Sequence, residues 1–158
     1  MRATRMNFCH TTHMKESFEA ASQAFVYPDI MKEAGEFERV ALTFSIDTSV
    51  LLFQAKDGEM TSLDEDIWQK LENTDSNRFE SGDWDKVAEY ATMAERDWQS
   101  IHNSTSGIDA PIIMKFGDRY HLVAGNTRLM VARARGINPK VLLFSIDMPP
   151  NSPVDEHE

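Results

Sequence analysis

Three observations predict an α+β fold, with a small mixed sheet and helices packed around it. Residues 111–144, PIIMKFGDRYHLVAGNTRLMVARARGINPKVLLF, read in succession as strand, tight turn, strand, glycine-bearing loop, helix and strand. Ahead of them, stretches with apolar residues at three- and four-residue steps carry the period of amphipathic helices. Hydrophobic residues make up 41% of a 158-residue chain, which is ordinary for one globular domain with a real core.

The N-terminal elements follow from local pattern. Thr12 to Phe25 predicts a helix, with Phe18, Ala21 and Phe25 on one face, Thr11 or Thr12 as its cap and Pro28 as its stop. Val40 to Phe53, VALTFSIDTSVLLF, is rich in β-branched and aromatic residues and predicts a strand broken near Asp47-Thr48. Gly58 marks a turn. Residues 61–64, Thr-Ser-Leu-Asp, offer caps for a helix reaching about Leu71. Asn73 to Asp83 is a polar loop. From Asp83 to Ile101 one long helix is expected, with Val87, Tyr90, Ala91, Ala94, Trp98 and Ile101 along a broad stripe. Asn103 to Asp109 is a connector.

The C-terminal unit is more specific. Pro111 to Phe116 is a short apolar run suited to a buried strand. Gly117-Asp118 makes the turn, and Arg119 to Ala124 runs back with alternating faces. Gly125 lets the chain leave the strand sharply and lets a ligand approach the backbone. Asn126 or Thr127 is expected to cap a helix to about Arg135, with Gly136 as its stop. Lys140 to Ile146 is a further buried strand. The expected organisation is a helical segment over residues 1–39, a domain over 40–147 and a disordered acidic tail over 148–158.

Composition narrows the function classes. With 26 acidic and 16 basic residues the net charge is −10, so bulk electrostatics do not drive adhesion to nucleic acid. A nucleic-acid contact would need a local patch, and Arg128, Arg133 and Arg135, with Lys140 and Arg119 nearby, form the one such cluster. A single cysteine excludes an internal disulfide framework. No stretch has the length and apolarity of a membrane span. The expected compartment is the cytoplasm, and compact acidic proteins of this kind are often encoded by viruses and plasmids. Cys9, His10 and His13 form Cys-His-x-x-His, but a structural zinc needs four ligands, so no metal site is assigned.

The loop from Gly125 to Arg128 carries the chemistry. A helix's first turn presents unpaired N–H groups and a partial positive charge. Gly125 removes a blocking side chain, and Arg128 can fork onto phosphate oxygens. Asn126 and Thr127 complete the loop, and His121 lies within reach along the strand, either as a ligand contact or as a structural residue. The alternative is an ordinary capped helix beside a solvated arginine.

This run resembles the core of the ParB/sulfiredoxin-like fold. Gly125-Asn126-Thr127-Arg128 stands at the family's Gly-x-x-Arg position, and Leu129, Val131, Ala132, Ala134 and Gly136 match its helix and glycine stop. Val40 to Leu52 is similar to its opening strand. In that family the loop binds nucleotide phosphates: ATP in sulfiredoxins, CTP in chromosome-partitioning proteins, ADP or ATP in free-serine kinases. The resemblance implies ATP or CTP with Mg²⁺ here, and a phosphotransferase or nucleotidase activity. Phosphoryl transfer also needs a carboxylate. Asp47 is the candidate if Val40–Leu52 is the first strand, and a turn residue otherwise. Asn126-Thr127 replaces the Cys-His of sulfiredoxins, so their catalytic cysteine is absent. Two further readings stand beside this one: an accessory module binding DNA or a partner protein without turnover, and a metal-dependent nuclease.

Overall fold

The computed structural model describes residues 24–104 and 106–147. Their elements run β1 (Phe25–Val26), a 3₁₀ turn (Ile30–Glu33), α1 (Ala34–Phe44), α2 (Thr48–Lys56), β2 (Glu59–Ser62), α3 (Glu65–Lys70) and β3 (Leu71–Glu72). A second 3₁₀ turn (Ser76–Arg78) leads to α4 (Trp84–Met93), α5 (Trp98–Asn103), β4 (Ile108–Asp109), β5 (Ile112–Phe116), β6 (Arg119–Ala124), α6 (Asn126–Arg135) and β7 (Lys140–Ser145). The fold is α+β, as expected.

The C-terminal unit forms the centre. β5 and β6 make the predicted hairpin, pairing Phe116 with Arg119 across Gly117-Asp118. The chain then crosses through α6, and β7 returns parallel to β5, with Ile112 opposite Leu142 and Met114 opposite Phe144. The five-stranded sheet has the order β2-β7-β5-β6-β3, with β2 antiparallel to β7 and β3 parallel to β6. β1 and β4 form a separate two-stranded parallel ribbon.

Alternation along the strands divides the core between two faces. Ile112, Met114 and Phe116 of β5 pack with Phe37, Val40, Ala41 and Phe44 of α1 and with Leu51 and Ala55 of α2. Ile113, one position along, faces the other way and joins Ile67 and Trp68 of α3 and Leu129 of α6. α6 is apolar on its outer side too: Met130, Val131 and Ala134 pack against Phe79 and Val87. Helices therefore cover both faces of the sheet, and α4 lies against α6 from outside. No helix among the described residues is long and apolar enough to cross a membrane.

Several expectations need correction. The run Val40–Phe53 is not a strand. Phe37, Val40, Ala41 and Phe44 recur at the helical period and are all at most 5% exposed, so burial of that stripe overrides the β-propensity of the segment. Ser45 ends α1 in the left-handed region at φ 56°, and Asp47 begins α2. α1 also runs through the domain boundary drawn at residue 40, and Val40 shares one core with Phe37. The single helix expected over Asp83–Ile101 is two helices, broken where Glu95 turns left-handed at φ 54°. β2 was not foreseen, because Glu-Met-Thr-Ser has no apolar alternation and pairs only as an edge strand. Phe25 lies in a strand; the rest of the Thr12–Phe25 helix, apart from Ala24, falls outside the described residues, as do Cys9, His10, His13 and the tail.

Candidate functional site

The strand β6 delivers the chain to α6 through Gly125, whose φ of 106° is open to glycine. The glycine itself occupies the N-cap position, rather than Asn126 or Thr127, and no side chain caps the helix. Leu129 N–H bonds the Gly125 carbonyl in the first helical turn. Among the described residues no acceptor meets the N–H groups of Asn126, Thr127 and Arg128. Asn126 Oδ1 instead accepts from the Thr74 hydroxyl, which also contacts Ser76 Oγ and so fixes the first residue of α6 to the β3–α4 loop.

These amides lie at a groove of about 530 Å³, within the usual size range of small-molecule sites (roughly 300–1,000 Å³). The 122–128 segment lines it together with three distant pieces of chain. Glu33 comes from the end of the first 3₁₀ turn, Glu36 and Arg39 from α1, Arg96 and Asp97 from the α4–α5 break, and Asn73 from the end of β3. Asn73 sits at φ 67° and donates from Nδ2 to the Leu122 carbonyl at 2.9 Å, tying the groove wall to β6. The sequence reading missed all six. The spacing of Glu33, Glu36 and Arg39 does place them on one helical face, but the β reading of Val40–Phe53 hid that helix.

Charge in the groove is mixed. Arg39 Nη2 donates to Glu36 Oε1 at 3.1 Å. Arg128 is not the solvated arginine of the alternative reading: Nη2 donates to Glu33 Oε1 at 3.0 Å and Nη1 donates to the Asp109 carbonyl. Its side chain is 15% exposed and that of Glu33 23%. Arg96 is exposed and has no ion pair among the described residues.

The remaining predicted residues lie elsewhere. Asp47 caps α2, accepting from Ser49 N at 2.9 Å and Ser49 Oγ at 2.7 Å. The Ser49 hydroxyl, more than any other group, holds its carboxyl below the usual range. It does not line the groove, and its environment is that of a helix cap. His121 is buried on β6 and does not line the groove either; its ring meets the Phe44 ring edge-on at 5.0 Å. Burial holds its imidazole below the usual histidine value, while Glu72 pulls the other way and Arg119 adds to the lowering. Arg133 forks onto Glu65 at 2.8 and 2.9 Å and stacks on Trp68, and Arg135 donates to the His102 carbonyl. Arg119 is likewise engaged, with Glu72. The arginines read as a patch are thus tied into separate parts of the fold.

Parts of this groove suit a nucleotide: the volume is suitable, residues 126–128 line it at a helix N-terminus, and Arg96 is exposed with no ion pair among the described residues. Its acids set a limit, since Glu33, Glu36 and Asp97 repel a phosphate unless a cation or a displacement intervenes. Among the described residues no three His, Cys, Asp or Glu side chains gather as metal ligands. No family model, curated protein or solved structure matches the chain.

Proposed function

We propose that the groove over α6 binds the phosphate group of a nucleotide. One observation carries the reading: the N–H groups of Asn126, Thr127 and Arg128 have no acceptor among the described residues, at the positive end of a ten-residue helix that opens on the groove. The likeness of Gly125–Arg128 to the Gly-x-x-Arg loop of ParB/sulfiredoxin-like proteins supports it, and suggests ATP or CTP with Mg²⁺ and a phosphotransferase or nucleotidase activity.

Each residue then has a defined task. The three amides hold phosphate oxygens. Arg96, and Arg128 from below, neutralise charge. A bound nucleotide would supply the transferable phosphoryl group. The groove acids are Glu33, Glu36 and Asp97. Glu33 holds Arg128, Glu36 accepts from Arg39, and Asp97 caps α5 by accepting from Ser100 N at 3.1 Å. Glu36 or Asp97 would therefore use its remaining carboxylate oxygen to orient a cation brought by the nucleotide or to accept a proton from an acceptor hydroxyl.

Thermal-shift measurements with ATP, ADP, CTP, GTP and inorganic phosphate, each with and without Mg²⁺, test this reading. Arg96→Ala is the informative variant, because Arg96 is exposed and supports no ion pair among the described residues. The expected result is an upward shift with one nucleotide, which at a hundredfold excess over Kd corresponds to about 2.7 kcal/mol. The shift should shrink in Arg96→Ala while the melting temperature without ligand stays the same. No shift with any anion would refute the reading and leave an accessory role without nucleotide.

A further inference from the structure

We infer that Glu33 is a built-in competitor for the proposed phosphate, holding Arg128 in the empty groove and releasing it when the ligand arrives. This rests on the phosphate reading above. Its own basis is the pairing of Arg128 with Glu33, 95 residues apart in sequence, in a half-buried contact at 3.0 Å.

Arginine in the first turn of a helix faces the positive end of the dipole, so it needs an anion nearby. Glu33 supplies one. Its carboxylate reaches only the guanidinium; the amides of residues 126–128 receive nothing from it. A phosphate resting on those amides would meet both the amides and Arg128. It would also stand beside the Glu33 carboxylate, like charge against like. The phosphate has more partners than Glu33 and more charge, so Arg128 changes hands.

The release has a structural consequence. Glu33 closes the 3₁₀ turn Ile30–Glu33; buried Ile30 anchors the turn in the core beside Phe37 and Val40, and two polar contacts fasten its ends: Asp29 N donates to Asp109 Oδ2 at 3.3 Å, and Glu33 holds Arg128. Loss of the second fastening loosens this turn and the first turn of α1, which carries Glu36 into the groove. Ligand occupancy and the order of residues 30–36 are therefore opposed.

The test is calorimetric titration of inorganic phosphate and of ATP into wild type and Glu33→Gln, with amide hydrogen exchange of wild type over residues 30–36. Glutamine keeps the shape and a neutral hydrogen bond but removes the competing charge. The expected result is about 5- to 20-fold tighter binding by Glu33→Gln, and faster exchange at 30–36 when phosphate binds wild type. Equal or weaker binding by a folded Glu33→Gln overturns the inference, as does slower or unchanged exchange at 30–36. Should the variant fail to fold, the wild-type exchange decides alone. Binding by wild type with no gain in the variant removes the competition and leaves the phosphate site standing; no binding by either protein removes both.

Discussion

Gly125 and Pro111 are in contact so close that a Cβ on residue 125 would lie 2.8 Å from both Cα and Cβ of Pro111. The glycine is therefore demanded by packing at the mouth of β5 and by its φ of 106°, whether or not a ligand comes near. Gly125→Ala should destabilise the fold by about 2–4 kcal/mol, from left-handed strain together with overpacking against backbone. Urea unfolding measures this. A loss under about 1 kcal/mol would mean that Pro111 moves aside easily. It follows that a Gly125 variant cannot report on ligand binding, because it perturbs the fold first.

Arg128→Ala should also lower stability, by about 1–3 kcal/mol. It leaves the Glu33 carboxylate and the Asp109 carbonyl without their donor in a partly buried setting. Denaturant midpoints of Arg128→Ala, Glu33→Ala and the double variant check it: the double variant should lose less than the sum of the singles.

His121 predicts an acid-sensitive core. Its value is depressed, chiefly by burial, so the folded state binds fewer protons than the unfolded chain. The contribution is complete above the unfolded value of about 6.5 and is lost as pH falls through the lower folded value. Among the described residues Nδ1 has no hydrogen-bond partner, and Glu72 Oε1 stands 4.0 Å away. His121→Leu should make stability fall less steeply on acidification below about pH 6.5. Some slope should remain, because burial also depresses His102, with Arg135 adding to it. Denaturation series at several pH values read the difference; identical slopes would show that His121 titrates normally.

Glu95 is an exposed residue in the left-handed region between α4 and α5. Glycine carries no Cβ penalty there. Glu95→Gly should therefore stabilise the protein by about 0.5–1 kcal/mol, after allowance for the added freedom of the unfolded chain. A scanning calorimeter would show it as a raised melting temperature, and a lowered one would contradict the assignment of strain.

The C-terminal half was legible because most local signals agreed with the tertiary structure; the cap did not, since Gly125 takes the position expected for Asn126 or Thr127. Gly117-Asp118 supplied the turn and Gly136 the helix stop at φ 75°, whereas the expected alternation of β6 holds only as far as Leu122: the register shifts before Ala124, which joins Val123 in the core against α1. In the first half, local and global signals conflicted. Val50, Ile46 and Thr43 suggested a strand, yet the stripe from Phe37 to Phe44 had more to bury as a helix. Asp47 then read as an interruption of a strand when it is a cap between helices. The candidate site was half visible. Its loop lies in one contiguous motif, but its walls come from Glu33, Asn73 and Arg96, which meet only after folding. Nor could the sequence reveal that Arg128 already has a carboxylate partner, since 95 residues separate the two.

The order of the sheet bears on how the chain reaches its native state. The three inner strands, β7-β5-β6, all come from Ile112–Ser145, so the centre of the sheet assembles from near neighbours with little loop closure. Both outer strands belong to earlier sequence, and each needs a late partner: β2 pairs with β7 and β3 with β6. During synthesis, α1, α2 and α3 emerge before the surface they cover. The apolar faces of these helices stay exposed until the last strand is made, and that interval is when the chain is most open to misassembly.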